Sequence, residues 1–273
     1  MSKNIDEIEF TLFDTETTGL EPESGDRIVE IAGIRFRGKV KIATFQTMVN
    51  PHRPISEAAF AVNRITPEML KDAPRIEEVM PKFLNFIQDT CLCSYNAAFD
   101  LGFLKNELKL TGSDLSRNSA VVDILKMAKR ILPGLERYAL WFVADKLGIK
   151  TAQKHRALSD VELSLEVFHK LKGILQNKGV LDFTNFFSLF GLNSAFLEDI
   201  YNQKLANIQQ ALELGVKLKI KYLSSSDATV SEREVIPKEI RQEKSRNYLV
   251  GYCCLRNEER TFRVDGILHL EIV

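Results

Sequence analysis

The pattern of apolar and polar residues divides the chain into two parts. In the first part, short apolar runs alternate with segments of helical spacing, such as 76–88, where Val79, Phe83 and Phe86 would share one helix face. Strands are predicted at 10–13, 27–37, 41–49 and 91–95, helices at 76–88, 97–110 and 158–175, and a mixture of both at 121–131 and 138–147. Strands that form a meander before any long helix favour a mixed sheet. The pattern therefore predicts an α/β domain that ends near residue 175.

The second part has a period of two along its chain. Apolar residues at 216, 218, 220 and 222 alternate with lysines, which is typical of a half-buried strand. Further strands are predicted at 233–236, 248–255, 261–264 and 269–273, after a helix over 195–214. Short, closely spaced strands predict a small SH3-like β-barrel or curled sheet. We therefore divide the chain into a first domain (1–175), a helical linker (176–202) and a small β domain (203–273).

Composition sets broad limits on function. The 273 residues are 45% hydrophobic with a formal net charge of zero, and they lack both an apolar run of membrane-spanning length and a signal-peptide pattern. We therefore expect a cytoplasmic protein without a membrane partner. Neutral charge argues against binding driven by a basic surface, but it leaves open an enzyme that approaches phosphate through bound metal ions. The cysteines at 91, 93, 253 and 254 lack zinc-site spacing, and we expect buried thiols.

Two carboxylates stand at the end of the first predicted strand. Asp14 and Glu16 follow the apolar run 10–13, and side chains alternate along a strand, so both leave the same face at its carboxyl end. Two neighbouring anions in such a place are typical of a divalent-cation site. An acidic turn exposed to solvent is the alternative, because the Asp-x-Glu pattern is short and common.

Two later segments carry further candidate residues. Asp100 falls in the first turn of the helix 97–110, where the helix dipole favours any carboxylate, so an ordinary helix-terminal acid is the alternative. His155 and Asp160 lie at the start of the last long helix of the first domain. Five residues of continuous helix would separate their side chains by about 140°, so they converge only if His155 lies on the entering loop, 148–154. A loop histidine beside a metal carboxylate suits a general base, although most loop histidines are merely exposed.

Together and in this order, these motifs resemble the DEDDh family of 3′–5′ exonucleases, relatives of the epsilon proofreading subunit of bacterial replicative DNA polymerase. The resemblance covers about residues 8–172 and rests on the segments 14–20, 26–31, 49–51, 96–100, 123–125 and 155–160. It implies an RNase H-like mixed sheet flanked by helices. It also implies that DNA is hydrolysed from its 3′ end to nucleoside 5′-monophosphates with two divalent cations, Mg²⁺ or Mn²⁺.

The resemblance also assigns roles to individual residues. Asp14, Glu16 and Asp160 would bind the first cation. Asp14 would reach the second cation with support from Asp100, and His155 would take the proton of the attacking water. The candidates for holding the 3′-terminal nucleotide are Thr15, Thr17, Gly19 and Asn96.

Two positions depart from the family pattern. Tyr95 precedes Asn96 where many relatives have histidine, and 63–65 reads Asn-Arg-Ile where many have His-Gly-Ile. Neither change removes a predicted ligand or the predicted base, and the second bears on substrate preference. Three functions stay open: a DNA exonuclease, an exoribonuclease that trims RNA ends, and a regulator that binds nucleic acid or another ligand without catalysis. The implied partners are DNA or RNA with a free 3′ end and a DNA polymerase or repair complex.

Residues 203–273 resemble a WYL domain, a small β module often attached to bacterial regulators and nucleic-acid enzymes. The resemblance rests on the segments 221–222, 233–237, 247–252 and 260–264, but Asn247 replaces the name-giving tryptophan and Gly266 a common arginine. This domain would dock the substrate or regulate the nuclease. Arginines and aromatic rings suit phosphates and bases, and the candidate ligand residues are Tyr222, Arg233, Tyr248, Arg260 and Arg263. Alternatively, the tyrosines fill the barrel and the arginines face water.

Overall fold

The first part of the chain is built on a mixed sheet. The computed structural model describes residues 3–116, 119–151, 153–192, 194–244 and 246–273. The strands of the first sheet are β1 (Glu9–Thr17), β2 (Ile28–Arg37), β3 (Val40–Met48), β4 (Cys91–Ser94) and β5 (Val121–Asp123). Their order is β3-β2-β1-β4-β5. The first three strands pair antiparallel, whereas β4 runs parallel to β1 and β5 parallel to β4, so the predicted mixed sheet is confirmed.

Helices cover both faces of this sheet. The helices are α1 (Glu57–Asn63), α2 (Pro67–Leu70), α3 (Ile76–Ile87), α4 (Ala97–Leu110), α5 (Ile124–Ile131), α6 (Leu140–Lys146), α7 (Ala157–Asn177), α8 (Phe183–Phe190) and α9 (Ala195–Leu214). Helices α3 and α4 bury one face of the sheet around Phe13, and α5, α6, α7 and α8 bury the other face around Phe10. Alternate apolar residues of β1 thus feed two cores, which fixes the central strand between two helical layers. Within the described residues, none of the helices combines the length and apolarity needed to cross a membrane.

The second sheet is antiparallel and open, so the small β domain is confirmed, but of the two forms predicted for it the SH3-like barrel is wrong. Its strands are β6 (Leu218–Leu223), β7 (Val230–Glu243), β8 (Arg246–Cys253), β9 (Glu258–Arg263) and β10 (Ile267–Ile272). Their order is β10-β6-β7-β8-β9, with antiparallel neighbours, and among the described residues β9 and β10 do not pair. Ile208 and Ala211 of α9 are fully buried against this sheet. A helix therefore covers the apolar face that a closed barrel would have buried against itself.

Apolar residues that lie between the two sheets pack into a single core. Phe186, Phe187 and Phe190 of α8 are fully buried in the core that contains Phe10. The same core includes Leu268 of β10, so the two sheets share buried apolar surface. Polar contacts join them as well, since Arg130 Nη2 of α5 donates a hydrogen bond of 2.8 Å to a main-chain oxygen of β6. The boundaries predicted for the linker, after residue 175 and after residue 202, remain a proposal.

Candidate active site

Three carboxylates from distant parts of the chain meet at the carboxyl end of β1. Asp14, Glu16 and Asp160 can each place one oxygen so that the three atoms lie within 4.8 Å of one another. Asp14 and Glu16 leave the same face of β1 because they are two residues apart, and Asp160 lies in the first turn of α7. We call this group the carboxylate triplet.

Asp100 lies beside the carboxylate triplet and is held by hydrogen bonds. Its Oδ1 accepts from the N–H and the hydroxyl of Thr15 at 3.0 and 2.7 Å, and its Oδ2 accepts from the Ser94 hydroxyl at 2.5 Å. Asp100 is fully buried in the first turn of α4, which follows β4. The hydroxyl proton of Thr15, predicted to contact substrate, is therefore used to position Asp100.

The electrostatics of these acids favour a bound cation. Burial, and then the charges of Asp100 and Glu16, raise the pKa of Asp14 well above its ordinary value. Burial, followed by the charge of Asp160, raises the pKa of Glu16 to about 8. Burial also raises the pKa of Asp100 to about 6, although its hydrogen bonds lower it. Clustered carboxylate oxygens are the ligands that Mg²⁺ and Mn²⁺ prefer, so the donor set fits a divalent cation.

Glu30 of β2 ties the start of α7 to the sheet. Its carboxylate accepts hydrogen bonds from Arg156 Nε and Nη2 at 3.0 Å each and from the N–H of Ala157 at 3.2 Å. Burial alone would raise the pKa of Glu30, but the hydrogen bond from Arg156 and the further ones from Gln46 and Ala157 lower it. Glu30 lies opposite Glu16 in the β1–β2 ladder, so this contact fixes Asp160 relative to Glu16. Sequence reasoning did not assign this role, although Glu30 is a lone acid among the apolar residues 28–34.

His155 lies on the loop that enters α7, as convergence with Asp160 requires. Its φ of 52° is in the left-handed region, and its Nδ1 lies 3.9 Å from Oδ2 of Asp160. The side chain is 45% exposed, so it stands between the carboxylate triplet and solvent. The loop is held because Asp160 also accepts hydrogen bonds from Gln153 Nε2 at 2.8 Å and from the N–H of Lys154 at 3.3 Å. Ala152, in the predicted approach loop, lies outside the described residues.

A cavity of about 530 Å³ opens beside Glu16, and we call it the first cavity. Three predicted substrate residues line it together with an apolar group, and the set is Thr15, Thr17, Gly19, Leu20, Val62 and Phe99. Leu20 is 77% exposed, which leaves an apolar surface free at the rim. A Cβ on Gly19 would lie 2.2 Å from a carboxylate oxygen of Asp26, so a larger residue here would have to displace that side chain. Apolar walls with a polar end suit a nucleoside.

Asn63 belongs to the segment 63–65, which differs from the family pattern, and it lines the first cavity. It is buried, its Nδ2 donates to the main-chain oxygen of Thr17 at 3.3 Å, and its Oδ1 accepts from the N–H of Ile65 at 3.0 Å. A further hydrogen bond from Asn63 acts to lower the pKa of Glu16, against the larger effect of burial. This departure therefore changes the wall of the first cavity and the surroundings of Glu16, but it removes none of the three carboxylates.

A second cavity of about 440 Å³ opens beside Asp14 and Asp160 and shares no lining residue with the first. Its lining includes four further predicted site residues, Asp14, Asn96, His155 and Asp160, together with the aromatic residues Tyr95, Tyr138 and Trp141. Asn96, at a φ of 67°, thus lies apart from the other predicted nucleotide residues, which line the first cavity.

The candidate ligand residues of the second sheet are engaged in contacts within the protein. Tyr222 is buried edge-to-face against Phe262, and its Oη accepts from the N–H of Arg263 at 3.4 Å. Arg263 pairs with Asp265, Arg260 lies near Glu258, Arg233 donates to Ser231, and Tyr248 of β8 is half-buried. The arginine that is common at position 266 has no room, because a Cβ on Gly266 would lie 2.6 Å from Nη2 of Arg130.

Comparison with known proteins identifies both parts of the chain. Residues 11–168 match the family model described as Exonuclease, and residues 203–272 match the model of the WYL domain. Because the first match covers more than half of the sequence, the chain belongs to this exonuclease family. The predicted resemblance to 3′–5′ exonucleases with a C-terminal WYL domain is confirmed.

The chain spans less than a fifth of the length of the curated relatives named here. A DNA polymerase III PolC-type of Caldanaerobacter subterraneus subsp. tengcongensis is 32% identical over 256 residues, which are 92% of this chain and 18% of that protein. The protein of the same name from Staphylococcus aureus is 30% identical over 250 residues, 91% of this chain and 17% of its own length. A zinc ion-bound complex of E. coli exonuclease I with single-stranded DNA aligns with a TM-score of 0.57 and 16% identity, covering 89% of this chain and 54% of that one. The last likeness establishes a common fold.

Proposed function

We propose that this chain hydrolyses DNA from the 3′ end, one nucleotide at a time, and releases nucleoside 5′-monophosphates with the help of two divalent cations. The observation that carries the proposal is the carboxylate triplet, whose oxygens lie within 4.8 Å of one another, with His155 beside Asp160. Membership of the exonuclease family supports the same reaction.

The residues of the site divide between holding cations and moving a proton. Asp14, Glu16 and Asp160 would hold the first cation, and Asp14 with Asp100 the second. Cations bound there favour deprotonation of the attacking water and offset negative charge on the leaving oxygen. His155 would accept the proton of the water and pass it to solvent, to which its side chain is open.

The first cavity would hold the 3′-terminal nucleoside. Thr17 and Gly19 lie where the sugar would contact main chain and hydroxyl, and the apolar Leu20 and Phe99 offer surface to the base. Glu16 lines the same cavity, so the phosphate of that nucleotide would face the carboxylate triplet. The terminal phosphodiester bond is then the one presented for hydrolysis.

The test is release of mononucleotide from DNA and RNA labelled at the 3′ end, with Mg²⁺ or Mn²⁺. We expect single-stranded DNA to yield labelled nucleoside 5′-monophosphate, and the Asp14→Ala variant to yield none. Preferential cleavage of RNA would favour the exoribonuclease function instead. Failure to cleave single-stranded DNA, duplex DNA or RNA would overturn the catalytic proposal and leave a binding role.

We also propose that the chain works beside a DNA polymerase or within a repair complex in the cytoplasm, where its proposed substrate occurs. Two relatives carry the name DNA polymerase III PolC-type, and each aligns with nearly the whole of this chain. The WYL domain would dock or regulate the nuclease. Co-purification of the intact chain with the replicative polymerase of its own organism would test the association.

A further inference from the structure

The proposed function uses only one of the two cavities that flank the carboxylate triplet. A DNA strand leaves a scissile phosphate in two directions: toward the 3′-terminal nucleoside and toward the upstream nucleotides. The first cavity contains Glu16 and is assigned to the terminal nucleoside. The second cavity contains Asp14, His155 and Asp160 and shares no lining residue with the first, so the carboxylate triplet is divided between the two cavities. The second cavity is therefore the place for the upstream strand.

Trp141 forms part of the rim of the second cavity. It is the single tryptophan of the sequence, lies in the first turn of α6 and is 48% exposed. Exposing so much of the largest apolar ring to water is unfavourable unless something else covers it. An exposed aromatic ring at the edge of a nuclease site offers a flat surface on which an unpaired base stacks, whatever its sequence.

Positive charge accompanies this ring. The guanidinium carbon of the exposed Arg137 lies 5.8 Å from the centre of the Trp141 ring and 5.7 Å from that of Phe142. Lys146 lies 5.0 Å from the Phe142 ring on the same helix. The rim thus combines a stacking surface with cations that complement backbone phosphates, whereas the carboxylate triplet itself repels them without bound metal.

Hydrogen bonds through Tyr95 hold the rim in place. Tyr95 follows β4, and its Oη donates to the main-chain oxygen of Tyr138 at 2.7 Å. Tyr138 Oη in turn donates to the main-chain oxygen of Leu132 at 2.7 Å and accepts from the N–H of Leu135 at 3.3 Å. The segment that carries Arg137 and leads into Trp141 is thereby fixed to the strand that precedes Asn96. Tyr95 is the residue that replaces the histidine of many relatives.

We propose that Trp141 stacks on a base upstream of the scissile phosphate, that Arg137 contacts the adjoining phosphate, and that Tyr95 positions this platform. The inference rests on the proposed function and narrows its substrate class to a single-stranded 3′ end with at least one upstream nucleotide. Stacking requires an unpaired base with a free face, which a base pair within a duplex does not offer.

Kinetics with two substrates test this inference. The p-nitrophenyl ester of thymidine 5′-monophosphate has no upstream base, whereas the oligonucleotide (dT)8 has several. We expect Trp141→Ala to raise KM for (dT)8 by about 5- to 150-fold, the range set by loss of one base–aromatic stack. KM for the ester, whose nitrophenyl leaving group is smaller than a nucleotide and carries no upstream phosphate, should rise by a much smaller factor. Trp141→Phe should restore most of the affinity. Leu110→Ala removes a similarly exposed apolar side chain at the end of α4, and it should change the kinetics with neither substrate.

The positioning role of Tyr95 has its own readout. Tyr95→Phe removes one hydrogen bond and no ring, so it should raise KM for (dT)8 less than Trp141→Ala does, without changing kcat for the ester. If Tyr95→Phe lowered kcat for the ester instead, Tyr95 would act on the chemistry and the positioning role would be wrong.

Because the sequence has one tryptophan, its fluorescence reports directly on stacking. We expect (dT)8 to quench the emission of the non-cleaving Asp14→Asn variant in Mg²⁺, and thymidine 5′-monophosphate to leave it unchanged. Binding of (dT)8, measured by anisotropy of a labelled strand, without quenching would overturn the inference. So would an equal effect of Trp141→Ala on both substrates. Failure of the parent enzyme to hydrolyse either substrate would instead contradict the proposed function.

Discussion

The two sheets of this protein treat charge in opposite ways. At the end of β1, Asp14 and Glu16 are crowded by other acids, no basic side chain among the described residues pairs with them, and their pKa values are raised. On the second sheet, two of the three candidate arginines lie near a carboxylate, Arg263 with Asp265 and Arg260 with Glu258. Buried charge without a counter-ion is unfavourable, so it indicates a place where a ligand completes the structure. A charged side chain that is already paired within the protein gives no such indication of a ligand.

The largest expected effect on activity comes from removing one of the unpaired carboxylates, Asp14. Asp14→Ala should abolish hydrolysis while the protein stays folded, because it removes a ligand proposed for both cations. The same change relieves repulsion among the remaining acids, so the metal-free variant should melt at a higher temperature than the metal-free parent. Calorimetry and the release assay measure the two effects. Arg263→Ala is the matched control on the second sheet, and its full activity would sharpen the comparison, whereas its complete inactivity would break it.

The next effect concerns the proton and leaves the cations in place. His155→Ala should reduce kcat by about 10²- to 10⁴-fold, the usual contribution of a general base. Binding of Mn²⁺, followed by titration calorimetry, should stay within a few-fold of the parent, because His155 is not part of the carboxylate triplet. Activity equal to that of the parent would show that another group accepts the proton.

A third prediction concerns the surface that joins the two sheets. Leu268 of β10 is buried in the core of the first sheet, so Leu268→Ala should lower the free energy of unfolding by about 2–5 kcal/mol. Activity at a temperature where the variant is folded should be retained, since the residue is remote from the carboxylate triplet in the fold. Chemical denaturation measures the loss. Separate unfolding transitions for the two sheets in the parent would argue against a shared core.

The smallest expected effect is a pH dependence caused by Glu16. Its pKa in the folded, metal-free protein is about 8, above the ordinary 4.5, so folding takes up a proton between these values. The stability that Glu16 contributes is complete below about pH 4.5 and is lost as the pH rises through 8. Glu16→Gln should therefore become increasingly stabilising in EDTA between pH 6 and pH 8.5, as melting temperatures would reveal.

Divalent cations should reverse this trend, because they replace the proton on Glu16. We expect the affinity of the parent for Mn²⁺ to increase over the same pH interval. If the difference in melting temperature between the parent and Glu16→Gln in EDTA stayed constant over this pH interval, the pKa of Glu16 would not be raised. Burial lowers the pKa of His169 to about 4, which affects both proteins alike and cancels in the comparison.

The sequence predicted those parts of the fold that depend on local pattern. Helices α3, α4, α7 and α9 follow from apolar spacing, and Asp14 and Glu16 share a face because strands alternate. The closed barrel was wrong because a period of two indicates one buried face without saying what covers it, and here α9 does so. The contact between Glu30 and Arg156 joins residues 126 positions apart, and local spacing carries no signal for such a pair.

The Trp141 rim was missed for a related reason. The segment 138–147 showed a mixed pattern, and exposure of one ring in α6 depends on how that helix packs, which its own sequence leaves undetermined. Tyr95 was noticed as a departure from the family, but its partner, the main-chain oxygen of Tyr138, carries no residue-type signature.

The hydrogen bonds that Asp160 accepts from Gln153 and Lys154 engage both of its oxygens, one of which belongs to the carboxylate triplet. Filling the site therefore competes with the contacts that restrain the loop of His155, whereas Arg156 stays fixed by Glu30. Cation binding and the mobility of the loop that carries His155 are thus thermodynamically linked. The loop is most restrained in the metal-free protein and becomes more mobile when cations are bound.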